Sequence, residues 1–198
     1  MQQKLLNNLT GYRIILASNS PRRKQLLKEA DVDFDVFVID DIDESYPQDI
    51  SVKDIPVYLS TKKSNAYNHL LENEKSVIIT ADTIVVLNNK VIGKPVSEDD
   101  AVNILKTLSG KMHKVITGVT VKSLHKTISF SSETKVWFKN LSENEINYYI
   151  KNHNPFDKAG AYGIQEWIGH IGIKKVEGSY FNVVGLPIQQ LYDALTSF

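Results

Sequence analysis

Cysteine is absent from this chain, and that gap excludes disulfides, thiolate catalysis and cysteine-ligated zinc. No apolar run approaches the 18 residues of a membrane-spanning helix. Met1–Thr10 is polar and lacks the apolar core of a signal peptide, so the expected location is the cytoplasm. Lys+Arg and Asp+Glu are equal at 23 each, giving a formal net charge of zero. The basic excess of a general nucleic-acid binder is therefore missing, and neither nucleic acid nor membrane is an expected partner. There is no GxxxxGK[ST], which excludes a P-loop, and no HExxH. The five histidines show no tight ligand spacing. Arginine is scarce: Arg13, Arg22 and Arg23 are the only three, against 20 lysines, and two of them are adjacent.

What is present fits one domain, or one domain with two lobes, over residues 1–198, with residues 1–10 as a short N-terminal extension. Apolar residues make up 42%, enough for a sizeable core. Tyr12–Ala17 reads as a short buried strand. Ser20 then reads as an N-cap, with Pro21 at the first helical position and Leu26, Leu27 and Ala30 on an apolar side. Val32–Ile39 is rich in β-formers and predicts a second strand, followed by the acidic cluster Asp40, Asp41, Asp43 and Glu44. Residues 54–72 show helical spacing at Ile55, Tyr58, Leu59, Ala66, Tyr67 and Leu70. Ser76–Leu87 predicts a long strand, turning at Asn88-Asn89 into Val91-Ile92. Ser97–Leu108 predicts a helix capped by Ser97 and stopped by Gly110. Lys114–Leu124 and Thr127–Phe138 predict paired strands. Ser142-Glu143-Asn144-Glu145 is a capping box, and Pro187 opens a last helix with Ile188, Leu191 and Leu195 on one side. The fold class expected is α/β, a mixed sheet flanked by helices.

Ser18-Asn19-Ser20-Pro21-Arg22-Arg23 lies between a strand end and a helix start. A helix N-terminus offers free N–H groups and partial positive charge to an anion. Cations in that first turn cost the helix about 0.3–1 kcal/mol each, so Arg22 and Arg23 make sense if phosphate sits there. A capped helix with solvated arginines fits the same letters. Asp82-Thr83 interrupts an apolar run, where an unpaired buried carboxylate is costly. Asp82 therefore points to a metal, a cation or a water to be activated, or else to a strand-end cap. Glu44 in its acidic loop suits a hard cation, and equally a solvated loop. Lys62 and Lys63 lie within or beside the apolar arc of the 54–72 helix, and periodicity does not choose between them. Lys94, in the rigid Gly93-Lys94-Pro95 turn, and Gln165, a donor and an acceptor after two glycines, complete the candidates.

These residues together resemble the Maf family of nucleotide pyrophosphatases. The resemblance opens at Leu16-Ala17-Ser18-Asn19-Ser20-Pro21-Arg22-Arg23. It continues through Glu44, Lys63, Ala81-Asp82-Thr83, Gly93-Lys94-Pro95, Leu108-Ser109-Gly110 with His113, and Thr117-Gly118-Val119. It ends with Asp157–Gln165 and with Gly178-Ser179-Tyr180, Asn182 and Gly185-Leu186-Pro187, covering about residues 13–188. The resemblance implies an inosine-triphosphatase-like fold, a twisted mixed sheet with two lobes around a nucleotide cleft. It implies metal-dependent cleavage between the α and β phosphates, with magnesium or manganese as cofactor. Asp82 matches the residue assigned as general base and Glu44 a pocket position; these two carboxylates are the candidates to hold the metal, and the sequence leaves open whether Asp82 is base or metal ligand. Arg22, Thr83 and Gln165 match positions linked to substrate choice, and Ser18, Arg23, Lys63 and Lys94 match other pocket positions.

The forms at 157–160 and 178–182 resemble the branch acting on dTTP and UTP rather than the one acting on methylated GTP. The family is also linked to inhibition of septum formation, so a nucleotide-binding regulator without essential catalysis is the rival reading. The expected partner is a nucleoside triphosphate, and the reading leaves room for a homodimer. One departure stands out: the family's usual glycine after the glutamine is Glu166 here, followed by Trp167.

Overall fold

Local signals fix most element boundaries. The computed structural model describes residues 6–71 and 75–198. In chain order it contains β1 (Arg13–Leu16), α1 (Pro21–Glu29), β2 (Asp35–Val36), α2 (Ile55–Ala66), β3 (Ser76–Leu87), β4 (Lys90–Ile92) and α3 (Glu98–Leu108). There follow β5 (Met112–Lys122), β6 (Thr127–Phe138), α4 (Glu143–His153), α5 (Trp167–Gly172), β7 (Ile173–Glu177), α6 (Tyr180–Val184) and α7 (Ile188–Thr196). Ser20, Ser97 and Ser142 cap α1, α3 and α4, each accepting the N–H three residues on, and Glu145 closes the capping box. Asn88 and Asn89 both take left-handed φ, 51° and 60°, which lets a two-residue turn follow the strand twist from β3 into β4.

The seven strands form one mixed sheet in the order β2-β1-β3-β5-β6-β7, with β4 on β3. β1 runs parallel to both β2 and β3, Ile15 facing Ile78 and Leu16 facing Ile79; β4 runs antiparallel to β3, and β7 to β6. The expected mixed α/β sheet flanked by helices is the one observed.

The chain divides into two compact units, the first made of residues 1–82, 117–131 and 185–198, the second of 83–116 and 132–184. In the first, Ile15, Tyr67, Leu71 and Ile78 form a buried cluster that Ala17, Ile39, Ile42 and Leu70 pack against. In the second, a larger cluster joins Leu105 and Leu108 of α3, Ile146, Tyr149 and Ile150 of α4, Val136 and Phe138 of β6, and Tyr162. Each fully buried leucine there contributes about 1.5–3 kcal/mol.

Three expectations need correction. The strand expected over Val32–Ile39 is only two residues long, because half of that stretch is exposed and it pairs on one side alone. The helix expected over 54–72 ends at Ala66 and passes through Tyr67 into a 3₁₀ turn, Asn68–Leu71; Glu72 lies outside the described residues. Its buried side is the apolar arc only in part: Ile55, Leu59 and Tyr67 are buried, but Tyr58 and Ala66 are exposed, while Ser60 and Ser64 are buried and send their hydroxyls to the carbonyls of Val57 and Thr61. Of the extension expected over 1–10, residues 1–5 lie outside the described residues. Asn7–Leu9 form a 3₁₀ turn whose Asn8 amide donates to the Leu195 carbonyl at 2.7 Å.

Candidate active site

The parallel pairing of β1 and β3 sets the first half of the site. Because Leu16 faces Ile79, the turn after β1 runs beside Ala81 and Asp82. In parallel sheets, ligands bind outside such carboxyl ends. Ser18 is buried, and its Oγ accepts from the Ser20 N–H at 3.2 Å and from Arg23 Nη1 at 3.3 Å. Arg23 also donates through Nη1 to the Ala81 carbonyl at 2.8 Å and through Nε to the Gly185 carbonyl at 2.9 Å. Its planar fork thus ties α1 to β3 and to the segment before α7. Burial lowers the pKa of Arg23, and Asp82 and Glu44 oppose that effect while Arg22 adds to it. Arg23 therefore lies within electrostatic reach of both carboxylates.

α2 brings the next cation. Its start approaches β5 so closely that a Cβ on Gly118 would lie 2.2 Å from the Pro56 carbonyl carbon, so only glycine fits. One turn on, the Ser60 carbonyl accepts from Thr80 Oγ1 at 2.7 Å, and the Ser60 hydroxyl shares a hydrogen bond with Thr120 at 3.0 Å. Two residues along β3 the same face carries Asp82, and three residues along α2 comes Lys63. Lys63 Nζ meets Asp82 Oδ1 at 2.6 Å and Glu44 Oε1 at 2.8 Å.

The choice that periodicity leaves open is thereby made. Lys63 goes to the carboxylates. Lys62 goes to the loop beside them, donating to Asp43 Oδ2 at 2.6 Å and to the Ser45 carbonyl at 2.9 Å. Asp43 accepts in turn from the Ser45 N–H and hydroxyl, and Lys62 with Ser45 holds its carboxyl well below the usual range. Glu44 therefore projects from a loop fastened at both neighbours. Ile39 N–H, donating to the Tyr67 hydroxyl at 3.0 Å, fastens the same loop farther back.

The second unit holds the other candidates. Thr83 is half-buried in β3, and Lys94 is exposed on its turn. Gly93 accepts the Gly160 N–H at 3.0 Å, which joins that turn to the 157–160 segment. Gln165 is partly buried, and its Oε1 is enclosed without a hydrogen-bond donor among the described residues. Around it lies a group only partly legible in the sequence. Lys158 is buried, its Nζ 2.7 Å from Asp157 Oδ1 and 3.1 Å from Glu166 Oε1. Glu166 Oε2 accepts the Tyr149 hydroxyl, which itself accepts the Gly163 N–H at 3.0 Å. His113 is buried against Phe138 and Tyr162, and burial lowers its pKa to about 4. Its Nε2 lies 2.7 Å from the Tyr162 hydroxyl, which makes it a neutral part of that core.

A family model described as Maf-like protein matches residues 13–198. The chain belongs to the Maf family. Among curated Maf relatives, "dTTP/UTP pyrophosphatase" of Parabacteroides distasonis is 49% identical over 98% of this chain and 100% of its own length. The protein of the same name from Phocaeicola vulgatus is 51% identical over 96% and 98%. Among solved structures, a HAM1 protein from Coxiella burnetii is similar, with a TM-score of 0.53 over 94% of this chain and all of that one. At 13% identity that likeness extends to the Maf fold alone. Among the described residues, no helix is long and apolar enough to cross a membrane.

Proposed function

We propose that this chain is a nucleoside triphosphate pyrophosphatase that hydrolyses dTTP and UTP to the monophosphate and pyrophosphate. Family membership and the names of relatives about half identical over nearly the whole length support the activity. The observation that carries the chemistry is the convergence of Glu44 and Asp82 on Lys63 beside Arg22 and Arg23.

Three cations against two carboxylates leave one surplus positive charge. That is enough to attract an anion and too little to neutralise a triphosphate. Two carboxylates already gathered around one cation, with no set of three metal-binding side chains among the described residues, fit a magnesium or manganese ion that the substrate helps to hold. Glu44 and Asp82 would hold it, and it would supply charge neutralisation on the phosphates.

In this reading Asp82 takes a proton from a water molecule. The water oxygen bonds to the α-phosphorus as the bond from that phosphorus to its bridging oxygen breaks. Pyrophosphate leaves with the bridging oxygen. Ser18, Arg22, Arg23 and Lys63 bind and orient the phosphates, with the N–H groups at the start of α1 as further donors. Lys94 adds positive charge, and Thr83 and Gln165 bear on the choice of nucleotide. The test is pyrophosphate release from dTTP, UTP, CTP, ATP, GTP and a methylated GTP, with either ion and with chelator. Release that peaks on dTTP and UTP and vanishes with chelator is expected. No release from any nucleotide, with binding intact, overturns the reading in favour of a binding regulator.

A further inference from the structure

Glu166 does not leave its charge to solvent alone. Its N–H donates to the Gly163 carbonyl at 3.0 Å, closing a turn over residues 163–166. Its carboxylate lies over Gly163 so closely that a Cβ there would sit 2.7 Å from Glu166 Cδ. Lys158 holds one carboxylate oxygen and Tyr149 the other, and the Tyr149 oxygen also takes the Gly163 N–H. Burial, then the charge and hydrogen bond of Glu166, push the Tyr149 pKa up, so the phenol stays a donor. The backbone on both sides of Gln165 is thereby fixed, while Gln165 Oε1 is left enclosed without a donor among the described residues.

We propose that Glu166, with Lys158 and Tyr149, is a positioning clamp that holds Gln165 in one amide orientation and so sets which pyrimidine the protein accepts. This rests on the function proposed above. Held in one orientation, the amide offers its oxygen to the N3–H of uracil or thymine and its nitrogen to a neighbouring ring carbonyl. Cytosine presents the reverse, an acceptor at N3 beside a donor amino group, and suits the amide only after it flips. A base that leaves a buried amide atom unpaired is rejected. The rigidity of the turn therefore decides between uracil or thymine and cytosine.

The experiment compares the wild-type protein with Tyr149→Phe and Glu166→Gln, each checked for folding by thermal melting. kcat and KM are measured for UTP and CTP, together with the affinities of non-hydrolysable analogues of both. The expected result is a fall in the UTP-to-CTP preference of about fivefold to tenfold, carried by KM and by analogue affinity, with kcat for UTP within about twofold. Should either variant fail to fold, the other carries the test. An unchanged preference in a folded variant overturns the proposal, as does an equal loss on both nucleotides, which would mark a merely structural role. If the wild-type protein releases no pyrophosphate, the proposed function fails. The clamp then stands or falls on whether the analogue affinity ratio moves.

Discussion

The protein uses one motif twice, a lysine between two carboxylates, and sets the two copies in opposite surroundings. Lys63 lies between Glu44 and Asp82 at 2.8 and 2.6 Å, and Lys158 between Asp157 and Glu166 at 2.7 and 3.1 Å. Beside the first stand two arginines, so the group carries one surplus positive charge. Beside the second stand a phenol and a backbone amide, so the group carries one surplus negative charge, and Tyr149 donates into it. The first attracts an anion and the second repels one. Neighbours, rather than the ionic motif itself, set the net charge of such a triad.

The largest expected effect that tests this contrast is Asp82→Asn. Turnover should fall by about 10²–10⁴-fold while nucleotide affinity by calorimetry stays within a few-fold; full pyrophosphate release would remove Asp82 from the chemistry. Next comes a crossed pair. Lys63→Met should lower kcat/KM on UTP by about a hundredfold, because a charge is lost where phosphate is proposed to bind, with a smaller loss of melting temperature, because Arg23 stays beside the buried Asp82. Lys158→Met should do the reverse. It strands Glu166 in a partly buried site and should cost about 2 kcal/mol, a melting shift of roughly 4–8 °C. If both variants lose activity and stability alike, the contrast collapses.

Gly118→Ala is smaller in reach but sharper in cause. A Cβ set against the Pro56 backbone must push α2 away and should cost about 1–3 kcal/mol in urea unfolding. The smallest effect is expected of Lys62→Met, which loosens the loop carrying Glu44. A drop in kcat/KM of roughly twofold to fivefold without loss of stability would match a surface contact of this kind. No change at all would mean that the loop holds its shape unaided.

The parts legible in the sequence were those with local causes. Ser20-Pro21, Ser97, the Ser142 capping box and Asn88-Asn89 each carry their chemistry within a few residues, and the structure bears them out. Asp82 was legible because a carboxylate inside an apolar strand demands a partner. The partner was not: Lys62 and Lys63 differ only in which side of α2 they occupy, and packing against β3 and β5 fixes that. The buried side of α2 misled the apolar count because serine hydroxyls bond back to their own helix and bury without cost in unpaired groups. The short elements α5, β7 and α6 carried too few turns or alternations to register. Glu166 was visible as a departure, but its tie to Tyr149, 17 residues away, depends on the packing of α4.

The order in which the chain leaves the ribosome adds one more consequence. The first unit draws on residues 1–82, 117–131 and 185–198, and the Arg23 guanidinium reaches the carbonyl of Gly185. Synthesis therefore delivers Ser18, Arg23, Lys63 and Asp82 early but withholds one of Arg23's acceptors, and the helix that receives Asn8, until residues 185–198 are made. The ordered form of this charged group therefore draws on residue 185, and a nascent chain stalled before that residue should lack it.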